Sequence, residues 1–314
     1  MYDVACIGIM VADIIAKPVD KVPEKGLLDL VDSISLFSGG NAMTASINIK
    51  KLGLNPVIIG RCGADYWGDF LESCLIKNGV DVSGLKRDDS CQTSCSVALS
   101  SADGERSFLH CTGTNAKFCI DDIDMDIIKN SKIVFVTGTY LLETFDGEQT
   151  AEFFKRCKEL GKITACDVCW DSKGRWASLI KDAIPYIDIF MPSVDEAREI
   201  AGCDDVDKMA DTFFDWGAKS VVIKLGSKGC YLRERKEDVA TVLPCYTGIK
   251  VVDTTGAGDS FCSGFLAALA RGEDFISCGK FANATGAHNV MAQGATTGIK
   301  SYDEIKKFME SYEA

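Results

Sequence analysis

The chain has 314 residues, of which 46% are hydrophobic and 25% charged, and its 34 basic and 46 acidic side chains give a formal charge of −12. That length suits one large domain or two small ones, and that composition excludes an intrinsically disordered chain. An acidic chain with no long basic run is a poor ligand for nucleic acid or an anionic membrane surface, so neither is expected as a partner.

In chain order, the first apolar β-branched run predicts a strand over residues 4–10. Ala42, Ala45, Ile49 and Leu52 then recur at helical spacing and Gly53 closes that helix. A strand is expected at 57–61, followed by a helix through Phe70, Leu71, Cys74 and Leu75 that stops at Gly79. Residues 94–99 and 106–111 are short strand-like runs flanking Asp103-Gly104, a hairpin signal. Strands are expected again at 133–137, 163–167, 187–191 and 220–225, with a helix through Phe153, Phe154, Cys157 and Leu160 ending at Gly161. Strands alternating with helices imply βαβ units and a mostly parallel sheet. The hairpin does not fit that rhythm. Together with 34–37 and the chain after Asp13 it predicts a small antiparallel sheet, inserted as excursions around 13–38 and 91–115. No Pro/Ser linker, internal repeat or low-complexity segment divides the chain, so it reads as one domain.

The 15 cysteines are odd in number and scattered from Cys6 to Cys278. A disulfide framework belongs to short secreted chains, and the start of this one has no basic leader. The apolar stretch 4–16 is interrupted by Asp13, and no run reaches the ~18 apolar residues of a membrane span. Cys166-Asp-Val-Cys169 is the one C-x-x-C, and His110 and His288 are the two histidines. A structural zinc needs paired clusters of ligands, so the cysteines read as small buried hydrophobes in a reducing cytoplasm.

The segment with chemical content is Asp253-Thr-Thr-Gly-Ala-Gly-Asp259, ahead of a helix with Phe261, Phe265, Ala268 and Leu269 on one face. Glycines at a helix N-terminus let backbone N–H groups point at an anion, and the dipole there favours negative charge. Asp259 in the first turn would repel that anion, which suits a base that takes a proton from an attacking hydroxyl. An ordinary helix start with a dipole-favoured Asp explains the same residues. There is no G-x-x-x-x-G-K-[ST], and no G-x-G-x-x-G follows the first strand.

This string resembles the C-terminal signature of the ribokinase-like (PfkB-type) carbohydrate kinase family. Ser38-Gly-Gly-Asn-Ala-Met-Thr-Ala45, Ile7-Gly8 with Asp13, Gly113-Thr-Asn115, Lys224-Leu-Gly-Ser-Lys-Gly229 and Gly294-Ala295 match further family segments in order, over nearly the whole chain. The resemblance implies a three-layer α/β/α domain over residues 1–314, with a mostly parallel central sheet and a small β-sheet lid. It implies Asp259 as base, and an anion hole from Gly256, Ala257 and Gly258. Asp253 and Thr255 would hold a monovalent cation, usually potassium. Asp13, Gly40, Asn41 and Thr44 would bind the substrate, with Thr44 standing where the family pattern has Asn. Lys224, Gly226 and Gly229 would lie on the nucleotide side, and Asn283 near the adenine. Lys224 also reads as a strand-end lysine in water, and His288 as a packed helix residue. Glu196 would help organise magnesium through waters, with Ser193 where many members carry Asn. Ser193-x-x-Glu196 is equally a plain capping box.

Asp167, near the family's frequent Asp-x-Asn, starts a cluster with Trp170, Asp171, Arg175 and Trp176. Arg175 could meet the substrate or pair with an exposed acid. Tyr140 and Glu143 could reach the sugar. The implied activity is that of an ATP-dependent sugar kinase using Mg2+ and K+, cytoplasmic, whose lid closes to exclude water and whose exposed lid face pairs two copies in a homodimer. A nucleoside kinase is the alternative. A sugar-phosphate kinase would need a basic pocket, and Asn41 stands where a Lys would be expected. A non-catalytic carbohydrate sensor would have lost the base or the glycines.

Overall fold

The computed structural model describes residues 1–101 and 106–313; the expected Asp103-Gly104 turn lies outside them. The strands are β1 (Tyr2–Gly8), β2 (Val11–Lys17), β3 (Ser33–Gly39), β4 (Pro56–Gly63), β5 (Asp81–Asp88), β6 (Cys95–Ser100), β7 (Arg106–Cys111), β8 (Ser131–Thr139), β9 (Ile163–Val168), β10 (Ile189–Phe190), β11 (Ser220–Lys224), β12 (Cys230–Arg233) and β13 (Thr241–Leu243). The helices are α1 (Asn41–Lys51), α2 (Tyr66–Lys77), α3 (Gly113–Lys117), α4 (Met125–Lys129), α5 (Glu148–Glu159), α6 (Ala177–Ile180), α7 (Val194–Ala201), α8 (Val206–Asp215), α9 (Ala257–Leu269), α10 (Phe275–Val290) and α11 (Tyr302–Glu313).

One sheet runs β13-β12-β11-β10-β9-β8-β1-β4-β5. Every pairing from β11 to β5 is parallel, while β12 and β13 extend one edge in antiparallel fashion. The parallel strands read as continuous apolar runs because both their faces are covered. Val4 and Cys6 of β1 enter one core with side chains of α1, α2, α9, α10 and α11. Ala5 and Ile7 enter the other, with α4, α5, α7 and α8. This is the expected three-layer arrangement.

Three expectations need correction. The strand read as 4–10 stops at Gly8. Ile9 and Met10 carry the chain into a second sheet, where Asn115 grips the backbone of Met10 through Met10 N–H to Oδ1 (3.3 Å) and Nδ2–H to the Met10 carbonyl (3.0 Å). The strand read as 187–191 is only Ile189–Phe190, because a short 3-10 turn over Ile184–Tyr186 precedes it and Pro192 follows. The second sheet, β3-β2-β6-β7, is mixed rather than antiparallel, since β2 and β6 run parallel. Parallel neighbours need a long crossover, and the chain supplies one by passing through α1, β4, α2 and β5 between β3 and β6.

All fifteen cysteines are free, and seven of them are buried. Among the described residues, no cluster of three or more His, Cys, Asp or Glu side chains is arranged to hold a metal ion. Among them too, no helix is long and apolar enough to cross a membrane.

Candidate active site

Two helix N-termini converge over the C-terminal ends of the parallel strands, where open α/β sheets bind ligands. The first is that of α1. Gly40 precedes it at φ 88, a conformation that favours glycine, and a Cβ there would come within 2.5 Å of the Ile9 carbonyl. The second is that of α9. Gly256 caps it in the left-handed region at φ 74, and a Cβ there would meet the Cβ of Ala295 at 2.6 Å. The Gly294-Ala295 segment therefore packs directly on this loop. The two helices lie side by side, with Asn48 Nδ2 donating to Ser260 Oγ at 3.0 Å. Their ends are joined by Asn41, whose Nδ2 donates to Asp259 Oδ1 at 2.7 Å.

Asp259 is half-buried in the first turn of α9. Burial and the nearby Asp167 carboxylate push its pKa up to about 7, against the opposing pull of Lys224 and Asn41. A carboxyl so placed exchanges its proton near neutrality, as a general base requires. Lys224 is not a strand-end lysine in water. Its Nζ lies 2.6 Å from Asp167 Oδ1, with side-chain exposures of 12% and 2%. Cys262 donates to Asp167 Oδ2 at 3.5 Å, and Cys169 to Asn41 Oδ1 at 3.2 Å. Burial raises both thiols well above the ordinary cysteine range, so they are protonated packing groups rather than nucleophiles.

On the lid, Asp13 of β2 stands between Phe37 of β3 and Ser96 of β6. Its carboxylate lies over Gly39, where a Cβ would overlap it. Burial raises its pKa to about 6, and the Ser96 hydroxyl partly counters this. Ser96 Oγ in turn pairs with His110 Nδ1 at 3.0 Å. Thr44 is 2% exposed, and its N–H bonds the Gly40 carbonyl. It braces the turn from within α1.

The structure does not bring Tyr140, Glu143 and Arg175 to the site in the way the sequence suggests. Tyr140, 2% exposed and at φ 85, donates its hydroxyl to the Trp176 carbonyl at 3.1 Å. Glu143 is exposed and paired with Lys173. Arg175 pairs with Asp171 at 2.9 Å and donates to the Tyr140 carbonyl at 2.9 Å, and that acid is buried rather than exposed. The cluster braces the loop after β9 while Trp170, stacked edge-on against Trp176, stays exposed.

The sequence model of the family described as "pfkB family carbohydrate kinase" matches residues 1–301. The chain belongs to that family. It is 26% identical to the ATP-dependent 6-phosphofructokinase of Thermoanaerobacterium thermosaccharolyticum, over 98% of this chain and 94% of that one. It is 29% identical to probable fructokinase-7 of Arabidopsis thaliana, over 98% and 92%. Its fold is that of Arabidopsis thaliana ribokinase, solved with ribose and ATP, with a TM-score of 0.86, 23% identity and coverage of 98% and 99%. The protein is thus a carbohydrate kinase with the ribokinase fold.

In this kinase, Gly226 (φ 61) and Gly229 (φ 96) bracket the short turn after β11. A Cβ on Gly229 would collide with the Leu243 carbonyl. Asn283 of α10 donates to the carbonyls of Leu243 (3.4 Å) and Pro244 (3.2 Å), so it braces the exit from β13. His288 packs its ring on Phe308. Both halves of the Ser193–Glu196 capping box are present: Ser193 N–H donates to Glu196 Oε2 at 2.7 Å, and Glu196 N–H to Ser193 Oγ at 3.3 Å. Yet Glu196 also faces Lys224 and Asp167, and burial raises its pKa. One carboxylate among further acids fits magnesium, which binds through one or two carboxylates plus phosphate oxygens and waters. Asp253 accepts from the N–H groups of Thr255 (2.9 Å) and Gly294 (3.0 Å), and Asn289 Nδ2 donates to the Thr255 carbonyl at 2.7 Å. Asn289 Oδ1 is buried without a hydrogen-bond donor. An oxygen-rich corner with an unmatched buried oxygen fits a hard cation. The Ala257 N–H, expected in the anion hole, is engaged by the Thr254 carbonyl at 3.2 Å.

Sequence reading missed Asp167, Cys169 and Cys262 as neighbours of the base. The one available signal was Asp167 at a strand end inside the C-x-x-C segment.

Proposed function

We propose that this kinase transfers the γ-phosphoryl group of ATP to a hydroxyl of a small, uncharged sugar, with Asp259 as general base. The observation that carries the reading is the Asp259 carboxylate, oriented by Asn41 at the N-terminus of α9 and with a pKa near neutrality. The acceptor would lie between Asp13 on the lid and Asp259 on the floor, against Gly40 and Asn41. Its hydroxyl gives a proton to Asp259 as its oxygen attacks phosphorus in line. The backbone N–H groups of Gly256 and Gly258 and the α9 dipole would hold the phosphoryl oxygens. Bound magnesium neutralises the phosphate charge, with Glu196 as its protein anchor. Potassium would sit at Asp253 and Thr255 and order the same loop. The nucleotide would extend over Gly226 and Gly229 toward the segment braced by Asn283.

A free sugar is favoured over a sugar phosphate because the neutral Asn41, rather than a lysine, stands beside Asp259 at the N-terminus of α1. Ile34, Phe37, Phe108 and Leu109 are exposed apolar side chains on the lid, which supports a homodimer through that sheet. Light scattering should give twice the chain mass, and a monomer would refute the pairing. Fifteen free thiols support a cytoplasmic location. The test of function is a phosphorylation screen over sugars and nucleosides with ATP and magnesium, with and without potassium. A sugar phosphate with ADP is expected; a nucleoside product with no sugar product would overturn the reading.

A further inference from the structure

We propose that Cys95 and Cys111 are a reversible modification site, at which a hydroperoxide oxidises the two thiols to a disulfide that cross-links the root of the lid hairpin. This chemistry lies outside phosphotransfer and does not depend on the identity of the acceptor.

Cys95 opens β6 and Cys111 ends β7, and the two are direct partners in the antiparallel register. Direct partners send their side chains to one face of the sheet. Their Cα atoms lie about 4.5–5.5 Å apart, inside the span of roughly 4.4–6.8 Å that a disulfide bridges. A third side chain marks the convergence of the two sulfurs. Gln92 Nε2 donates to Cys111 Sγ at 3.0 Å and reaches Cys95 Sγ at 3.9 Å. Seven of the other cysteines are buried away from any oxidant, whereas Cys111 is exposed and Cys95 half-buried.

The pair stands where the lid meets the body. One step inward, the Ser94 hydroxyl donates to the Thr112 carbonyl and accepts from the Asn115 N–H at 3.0 Å, and Asn115 is the residue that grips Met10. One step outward, Ser96 meets His110 beside Asp13. Successive strand residues point to opposite faces, so the thiols lie on the face away from Asp13 and their bond covers no substrate contact. It acts on the freedom of the lid. β7 is an edge strand whose one neighbour in the sheet is β6. A bond between Cys95 and Cys111 closes a loop of about 17 residues and removes the arrangements in which β7 peels away.

The oxidation balances with the hydroperoxide as its only reagent. The exposed Cys111 sulfur attacks a peroxide oxygen. The S–O bond forms, the O–O bond breaks, and the leaving oxygen departs with the thiol proton, as an alcohol or, from hydrogen peroxide, as water. Burial pushes the Cys95 thiol up, so it is still protonated when the sulfenic acid forms beside it. Cys95 then attacks the Cys111 sulfur. The S–S bond forms, the S–O bond breaks, and the departing oxygen takes the Cys95 proton and leaves as water. Two thiols give up two electrons and two protons, and the peroxide gains both.

The test uses the full chain, reduced, freed of added thiol and treated with a small molar excess of hydrogen peroxide. Intact mass and thiol titration should show the loss of two hydrogens and of two of the fifteen thiols. Tryptic mapping should join the peptide carrying Cys95 to the one carrying Cys111, and dithiothreitol should restore both. Cys95→Ser and Cys111→Ser should each abolish the cross-link. Cys91→Ser should keep it, which separates Cys95 from the cysteine on the same tryptic peptide. Hydrogen exchange of amides 96–100 and 107–111 should slow at least ~10-fold in the oxidised protein, as expected for suppressed local opening. A cross-link that survives in Cys95→Ser, Cys111 driven to sulfinic acid with no cross-link, or unchanged exchange would each overturn the proposal. None of these readouts needs turnover, so they stand apart from the test of the sugar kinase reading.

Discussion

Replacing Asp259 by Asn should stabilise the fold, and by an amount that depends on pH. The carboxyl titrates at 3.8 in an ordinary environment and at about 7 here, because burial and Asp167 oppose its ionisation. A raised carboxyl favours folding fully below pH 3.8, and that contribution is lost as pH rises through about 7. Above that point the folded protein holds an anion its surroundings disfavour. The rise from 3.8 to about 7 is worth about 4 kcal/mol at pH 8, an upper bound for a site whose neighbours can adjust, and about 1–2 kcal/mol at pH 5. Asn keeps the acceptor for Asn41 Nδ2 and carries no charge. With an unfolding entropy of about 2.1 cal/mol/K per residue, about 4 kcal/mol in a chain of this length raises Tm by about 6 °C. Thermal unfolding of both proteins at pH 5 and pH 8 gives the comparison. A gain that is the same at both pH values, or a loss of Tm at pH 8, would refute the reasoning that Asp259 is an electrostatically strained base.

Gly258→Ala should leave Tm unchanged or slightly raised, since alanine is favoured in a helix by ~0.5–1 kcal/mol and its methyl would meet Lys224 at an ordinary 3.6 Å, while kcat falls at least ~10²-fold because the methyl crowds a phosphoryl group held at the α9 N-terminus. Near-normal turnover in that variant would place the anion site elsewhere. The acid limb of kcat/KM against pH should fall tenfold per unit below about 7, the pKa of Asp259; a limb near 4 would mean the base is another group. Asp13→Ala should raise the sugar KM by ~10–100-fold, as expected for losing one hydrogen bond to a charged group, with the KM for ATP unchanged. An unchanged sugar KM would remove Asp13 from the pocket.

The central strands were legible because a parallel strand covered on both faces must be apolar along its covered length, as Val4–Ile7 and Val221–Ile223 are. Edge strands were not. β5 is Asp-Val-Ser-Gly-Leu-Lys-Arg-Asp, polar because it lies at the sheet edge, and it shows no apolar run to read. The span 187–191 misled for the opposite reason: Ile187 and Met191 are buried outside strand geometry. At the site, the contiguous motifs around Asn41 and Asp259 were readable from their glycines. The Asp167–Lys224 pair was not, since its partners are 57 residues apart and meet only because β9, β10 and β11 are consecutive in the sheet. Arg175 and Tyr140 looked available from sequence, and only the backbone path shows Asp171 and the Trp176 carbonyl occupying them.

The most direct measurement of the central claim is turnover of Asp259→Asn beside the wild-type protein, with magnesium, ATP and the sugar the screen identifies, alongside the calorimetric ATP affinity of each. The account predicts loss of ~10³-fold or more in kcat with ATP affinity within threefold, because a general base contributes ~10²–10⁴ and Asn cannot take the proton. Turnover close to wild type in a variant that binds ATP normally would contradict it.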